Sequence, residues 1–364
     1  MSDIRSAQIY AFYLFDVAET VNLSAIPGLI GGPTVAARLA PKSPTPAYVQ
    51  YETPPLSFDG ELIGVTDIAG FRPRFRFYDY GVVSLSLSRP FSGAWSGLVT
   101  LGQHLIENDE LGRLAEEQCR AVVTRLAPAM TVPRREFLSE DYLVFAVHEL
   151  EQPLSAVDLV KTRGGDIAAM LRGERQELSA QEKGRVLKHR LSYLADDLVI
   201  VTWNAALVYD TPSGAASALE ILEFANSQLL EFRYYDDLLD GELASIYSTL
   251  QKPRWYDQWI GSRYTRAARQ VHALFIDVNE LTDRTENALK FIGDIYAVRL
   301  FGLVASRLGL DTWKANVQGK LKTLDDIYDS TVEQSSMSRG QFMELTIVLI
   351  LVLELVLLLL GVME

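Results

Sequence analysis

In the stretch FRPRFRF (71–77), three arginines, Arg72, Arg74 and Arg76, alternate with Phe71, Pro73, Phe75 and Phe77. On a strand, alternate side chains point to opposite faces. The arginines then share one face and the aromatics face a core. Three guanidinium groups on one face suit phosphate, an RNA backbone or an acidic partner. The simpler alternative is a solvated sheet face paired with local acids.

Other chemistry-bearing residues are sparse. The four histidines, His104, His148, His189 and His272, include no HExxH pair, and with a single cysteine, Cys119, there is no Cys/His cluster. His104 and Glu107 lie one helical turn apart, but no third ligand accompanies them. Gly93-Ala-Trp-Ser96-Gly97 places its serine one position late for a nucleophile elbow. Gly28-Leu-Ile-Gly31-Gly32 and Arg163-Gly-Gly-Asp166 lack the spacing of a dinucleotide or phosphate loop. Asp236, Asp237 and Asp240 follow Arg233-Tyr234-Tyr235 and read as a solvated helix flank. These patterns give no catalytic residue, no metal ligand and no cofactor.

The elements that position these residues fall into two kinds. Residues 1–210 alternate irregularly between strand and helix signals. Strand candidates are 8–15, 34–40, 47–52, 75–88, 142–150 and 197–210, each rich in Val, Tyr, Phe or Leu. Helix candidates include ETVNLSAIPGLI, two between Gly93 and Ala127, and the stretches 155–172 and 179–190. The order predicts an α+β domain, ferredoxin-like or a related split sheet, rather than a doubly wound one.

After Thr211-Pro-Ser-Gly a long 4-3 repeat begins: Ala218, Leu222, Ala225, Leu229, Phe232, Asp236, Leu239, Leu243, Ile246, Leu250. A second repeat runs from Tyr264 through Leu274 and Leu281 to Ile295. A third runs from Val317 through Leu321 and Leu324 to Leu345. A sustained 3.5-residue period predicts long antiparallel coiled-coil helices over 211–340. Asp236 is then a polar seam residue. Leu229, Phe232, Leu239, Leu274 and Leu281 become expected oligomer contacts.

The chain closes on ELTIVLILVLELVLLLLGVME. Fifteen of the eighteen residues 345–362 are Leu, Ile or Val. They favour insertion by roughly 4 to 9 kcal/mol, against roughly 3 kcal/mol for the central Glu354. This predicts a transmembrane helix over 342–362. Arg339, Lys322 and Lys320 precede it and no basic residue follows. The expected arrangement is a tail anchor in a prokaryotic cytoplasmic membrane, with the bulk of the chain in the cytoplasm. Glu354 then faces a neighbouring helix within an oligomer.

Composition sets the outer limits. The 364 residues are 48% hydrophobic with a net charge of −13, and both halves of the chain are acidic. That fits a folded protein and excludes a broad electrostatic footprint for nucleic acid. One cysteine makes no internal disulfide, which suits a reducing compartment. The N-terminus lacks the basic-then-apolar pattern of a signal peptide.

Four stretches together carry a family likeness: FYDYGVV (77–83), DDLVIVTWNAALVYDT (196–211), LEFANSQLLEFRYYDDLL (222–239) and LKTLDDIYD (321–329) before the apolar end. From about residue 70 onward the chain resembles the required-for-meiotic-nuclear-division (RMD) family, whose shared YagE-type domain has no known function. The resemblance implies a membrane-anchored protein without established enzymatic activity, and it supplies no catalytic residues. A eukaryotic relative in the mitochondrial inner membrane is associated with support of translation there.

The leading expectation is a non-enzymatic scaffold or adaptor. It forms homo-oligomers through its helices and presents the α+β domain to a protein partner. Alternatives are an RNA or ribosome tether acting through Arg72, Arg74 and Arg76, and an enzyme of unrecognised type.

Overall fold

The computed structural model describes residues 3–31, 34–36, 54–60, 70–107, 109–251 and 295–327, together with 275–276, 278–279, 347–348 and 350–352. Its centre is a nine-stranded mixed sheet: β1 (Ile4–Val21), β2 (Val35–Ala36), β3 (Leu56–Asp59), β4 (Arg72–Phe77), β5 (Val82–Gly93), β6 (Met130–Leu150), β7 (Arg190–Leu191), β8 (Leu198–Val201) and β9 (Ala205–Tyr209). The spatial order is β2-β3-β4-β5-β1-β6-β9-β8-β7. Every neighbouring pair is antiparallel except β6 with β9. This replaces the expected ferredoxin-like sheet.

The added width comes from turns hidden inside apolar runs. The stretch 75–88 reads as one strand, but Tyr78-Asp79-Tyr80-Gly81 folds it into the β4–β5 hairpin. Gly81 is required there. Its φ is +92°, and a Cβ would stand 1.9 Å from the Ala18 carbonyl oxygen. The stretch 197–210 likewise breaks at Thr202-Trp203-Asn204. The Thr202 hydroxyl donates to the Ala205 carbonyl and accepts from its amide, and the buried Tyr142 hydroxyl donates to the carbonyls of Thr202 and Ala205.

Strand alternation gives the sheet two faces. Ile9, Phe15, Phe75, Phe77, Leu85 and Phe145 share one buried core with Trp95, Leu98, Cys119, Leu159 and Met170. The latter group comes from α2 (Trp95–Glu107), α3 (Glu110–Leu126) and α4 (Ala156–Arg172), which lie between strands in sequence. The short helices α1 (Ile26–Ile30) and α5 (Ala180–Lys188) add Ile26 and Val186. The opposite face carries Phe12, Leu14, Asp16, Ser84, Tyr142 and Val144, all buried.

That second face receives the first part of α6 (Pro212–Gln251) and α7 (Ile295–Leu308). Thr211 caps α6: its hydroxyl accepts the Gly214 amide at 3.2 Å, with Pro212 at the first helical position. A Cβ at Gly214 would meet the Asp210 carboxylate at 2.2 Å, so that side chain would have to shift. All twelve residues from Ile221 to Phe232 are buried, so this part of α6 is covered on every side.

By its contacts the chain divides into two units: 1–234 with 283–313, and 235–282 with 314–364. The first holds the sheet. In the second, Lys320 bridges Asp236 at 2.8 Å and Asp240 at 2.6 Å. Leu239, Val317, Leu321 and Leu324 are buried there.

Two further expectations change. The 4-3 repeat of α6 is not the seam of a free coiled coil. Ala218, Leu222, Ala225, Leu229 and Phe232 are buried inside the sheet unit, because a helix lying on a sheet also buries an i, i+3, i+4 stripe. The tail anchor is not supported either: among the described residues no helix is long and apolar enough to cross a membrane. A span takes about 20 residues of continuous apolar helix. Of 342–362 only 347–348 and 350–352 are described as helical. Glu354 and the rest lie outside the described residues. The membrane localisation and cytoplasmic orientation rested on that anchor and fall with it.

Candidate functional site

The arginine strand forms as its pattern predicts, but its charges are largely matched within the chain. Phe71, Phe75 and Phe77 are buried in the main core, and Arg72, Arg74 and Arg76 pair across β5 with Ser88, Ser86 and Ser84. Arg76 is only 12% exposed. One guanidinium nitrogen lies 2.8 Å from Glu223, another lies 3.9 Å from Glu220, and Nε donates to the Ser57 hydroxyl. Burial alone would discourage its charge, yet Glu223, Tyr78 and Glu220 more than offset that and hold Arg76 cationic. Arg74 bridges to Asp59 at 2.7 Å on the exposed side. Arg72 is exposed, and among the described residues it has no ion pair. Two of the three cations are therefore already spent.

The acids that meet Arg76 belong to a polar stripe on α6. Glu220, Glu223, Ser227, Glu231 and Tyr234 recur at three- and four-residue spacing, which puts them on one side of the helix. The Tyr80 hydroxyl, from the β4–β5 turn, lies 2.7 Å from the Ser227 hydroxyl and accepts from the Gln228 amide at 3.1 Å. Arg233 pairs with Glu140 of β6. The stretches FYDYGVV and LEFANSQLLEFRYYDDLL, distant in sequence, thus meet at one polar seam between the sheet and α6.

Asp16 completes the seam. It is 2% exposed, and its Oδ2 accepts from Arg134 Nε at 3.1 Å. The Arg134 guanidinium lies 4.0 Å over the Tyr234 ring. Burial pushes the Asp16 carboxyl up to about 6, although the Arg134 charge and hydrogen bond pull the other way. A signal for Asp16 was present in sequence. It ends the apolar run IYAFYLFD in phase with Tyr10, Phe12 and Leu14, which places a carboxylate on a buried strand face.

The remaining candidates are dispersed. His104 is exposed beside an open groove of about 550 Å³ whose walls include Arg89, Phe91 and Thr100. His148 Nδ1 lies 3.0 Å from the Asp210 carbonyl oxygen. His189 Nε2 lies 3.3 Å from the Arg307 guanidinium, which can only donate, and burial, Arg307 and Lys188 all lower the ring's pKa. His272 lies outside the described residues. Cys119 is fully buried, and burial raises its thiol pKa well above normal, which leaves it an inert core group. Gly31 caps α1 in the left-handed region, and Gly164 sits inside α4 against Leu187. Among the described residues no three His, Cys, Asp or Glu side chains are grouped to hold a metal.

The expected oligomer contacts separate in the same way. Leu229 and Phe232 are buried in the sheet unit, and Leu239 in the other. Asp236 is ion-paired with Lys320 of its own chain, and although burial opposes the Lys320 charge, Asp236 and Asp240 together raise its pKa. Leu274, Leu281 and Glu354 lie outside the described residues.

The chain is similar to an uncharacterized protein, MJ0711, of Methanocaldococcus jannaschii, with 23% identity over 218 residues. The matched region is 60% of this chain and 65% of that relative, so the chain spans just under two thirds of its length. No solved structure matches. A family described as the N-terminal domain of uncharacterized protein MJ0711 matches residues 6–216, from β1 into the first turn of α6. That match covers more than half of the sequence, and the chain belongs to this family of unknown function.

Proposed function

We propose that the protein is a non-enzymatic scaffold or adaptor that forms homo-oligomers and whose sheet unit binds a protein partner. One observation carries this reading: a cluster of charged and hydrogen-bonding side chains, Arg76 and Tyr80 among them, is committed to holding α6 on the sheet. Arg76 is taken by Glu223, Arg233 by Glu140 and Tyr80 by Ser227 and Gln228, and Arg134, paired with Asp16 within the sheet, lies over the Tyr234 ring of α6. Side chains so engaged serve architecture, and buried ionic contacts are best attested as devices of register.

The narrower placement in the RMD family belongs to this proposal. It rests on the quoted stretches 77–83, 196–211, 222–239 and 321–329. Mass photometry of the full 40.6 kDa chain tests the assembly. A species of twice that mass or more is expected at sub-micromolar concentration. A strict monomer that survives chemical cross-linking at micromolar concentration overturns the oligomer.

A further inference from the structure

Asp16 sits where the ladder between β1 and β6 breaks. Asp16 pairs with Leu138 and Ala18 with Pro133, so two steps along β1 match five along β6. The three extra residues bulge out of β6 within 134–137. Beside them Val132 has φ +47°, a conformation that is costly for a β-branched residue. Bulges and strained backbone recur where a strand must re-aim a side chain. The side chain re-aimed here is Arg134, which reaches Asp16 on one side and Tyr234 of α6 on the other.

The surroundings of the carboxylate are specific. Its Oδ1 is buried and has no hydrogen-bond partner among the described residues. Val82 of β5 and Leu138 of β6 flank it as apolar strand neighbours. Arg134 of β6 is the cation that meets it. Tyr234 closes the site from α6, with Glu231 of α6 and Glu19 of β1 acting on that ring. Glu140, two pairs along β6 from Leu138, is neutralised by Arg233.

We propose that Asp16 and Arg134 form a proton-controlled latch between the β6 bulge and α6: the ionised carboxylate holds Arg134 over Tyr234, and its protonation releases the guanidinium. The proton comes from solvent and adds to the carboxylate, and no other bond changes. The sign follows from linkage. Arg134 favours the ionised form, so protonation must weaken the hold on Arg134 by the same amount. Burial brings the carboxyl to about 6, which sets the switch between about pH 5 and 7.

The test is NMR of the full chain with ¹⁵N-labelled arginine, with the Arg134 Nε–H assigned by its disappearance in Arg134→Lys. Corrected for intrinsic exchange, its protection at pH 7.5 should fall at least tenfold by pH 5. Asp16→Asn should show the low protection at every pH. Tyr234→Leu should lower protection throughout and keep the midpoint. Equal protection at pH 5 and 7.5, or an Asp16→Asn protein that behaves like the parent, overturns the latch. If Asp16→Asn does not fold, loss of the midpoint in Tyr234→Leu overturns it as well.

Discussion

At the scale of single residues, the seam is built from groups that water would otherwise satisfy. Tyr80 gives the simplest case. Tyr80→Phe removes the contacts to Ser227 and Gln228 while keeping the ring. A loss of about 1 kcal/mol is expected in urea denaturation, with unchanged secondary structure by circular dichroism. Asp16 gives a pH signature. Its folded carboxyl, at about 6, lies above the ordinary 3.8. The folded state therefore binds this proton more tightly than the unfolded state does. That stabilisation is complete below about pH 4 and is lost as pH rises through 6. A difference of about two pH units corresponds to about 3 kcal/mol. Asp16→Asn should remove this slope, which stability curves at pH 4.5 and 7.5 would show. None of these pairings was legible beforehand. Arg76 could be read as lying on a polar face, but the sequence does not say that Glu223, 147 positions on, closes over it.

At the scale of elements, the residues that were legible were those that repeat. Alternation in FRPRFRF predicts β4 with the correct faces, and the apolar run 8–15 predicts part of β1. Turns inside continuous apolar runs were not legible, because Tyr78–Gly81 and Thr202–Asn204 are short and flanked by strand formers on both sides. Gly81 marks the first of these turns. Gly81→Ala forces a Cβ into the Ala18 carbonyl at positive φ, and at least about 2 kcal/mol should be lost, visible as a lower melting temperature. The period of α6 misled for a physical reason. A stripe of Ala218, Leu222, Ala225, Leu229 and Phe232 is equally suited to a helix partner and to a sheet. Sequence periodicity records that a face is buried and is silent about what covers it.

At the scale of the molecule, the same limit explains the anchor that was expected at the C-terminus. Leucine, isoleucine and valine in sequence give a favourable insertion sum, but a span requires a continuous helix of sufficient length, and no described helix meets that condition. What the sheet unit does show is one face closed by an apolar layer and the other closed by α6, whose buried apolar stripe is joined by charges and hydroxyls. The central claim is that these polar side chains fasten α6 to the sheet. The most direct test is a double-mutant cycle on Arg76 and Glu223, read by urea unfolding of the full chain. Glu223→Leu alone leaves the Arg76 charge buried with the more distant Glu220 as its remaining carboxylate, and should cost about 3 kcal/mol. Adding Arg76→Met should recover at least about 2 kcal/mol of that loss. If the two substitutions add to within about 0.5 kcal/mol, the pair does not fasten the helix and the account is contradicted.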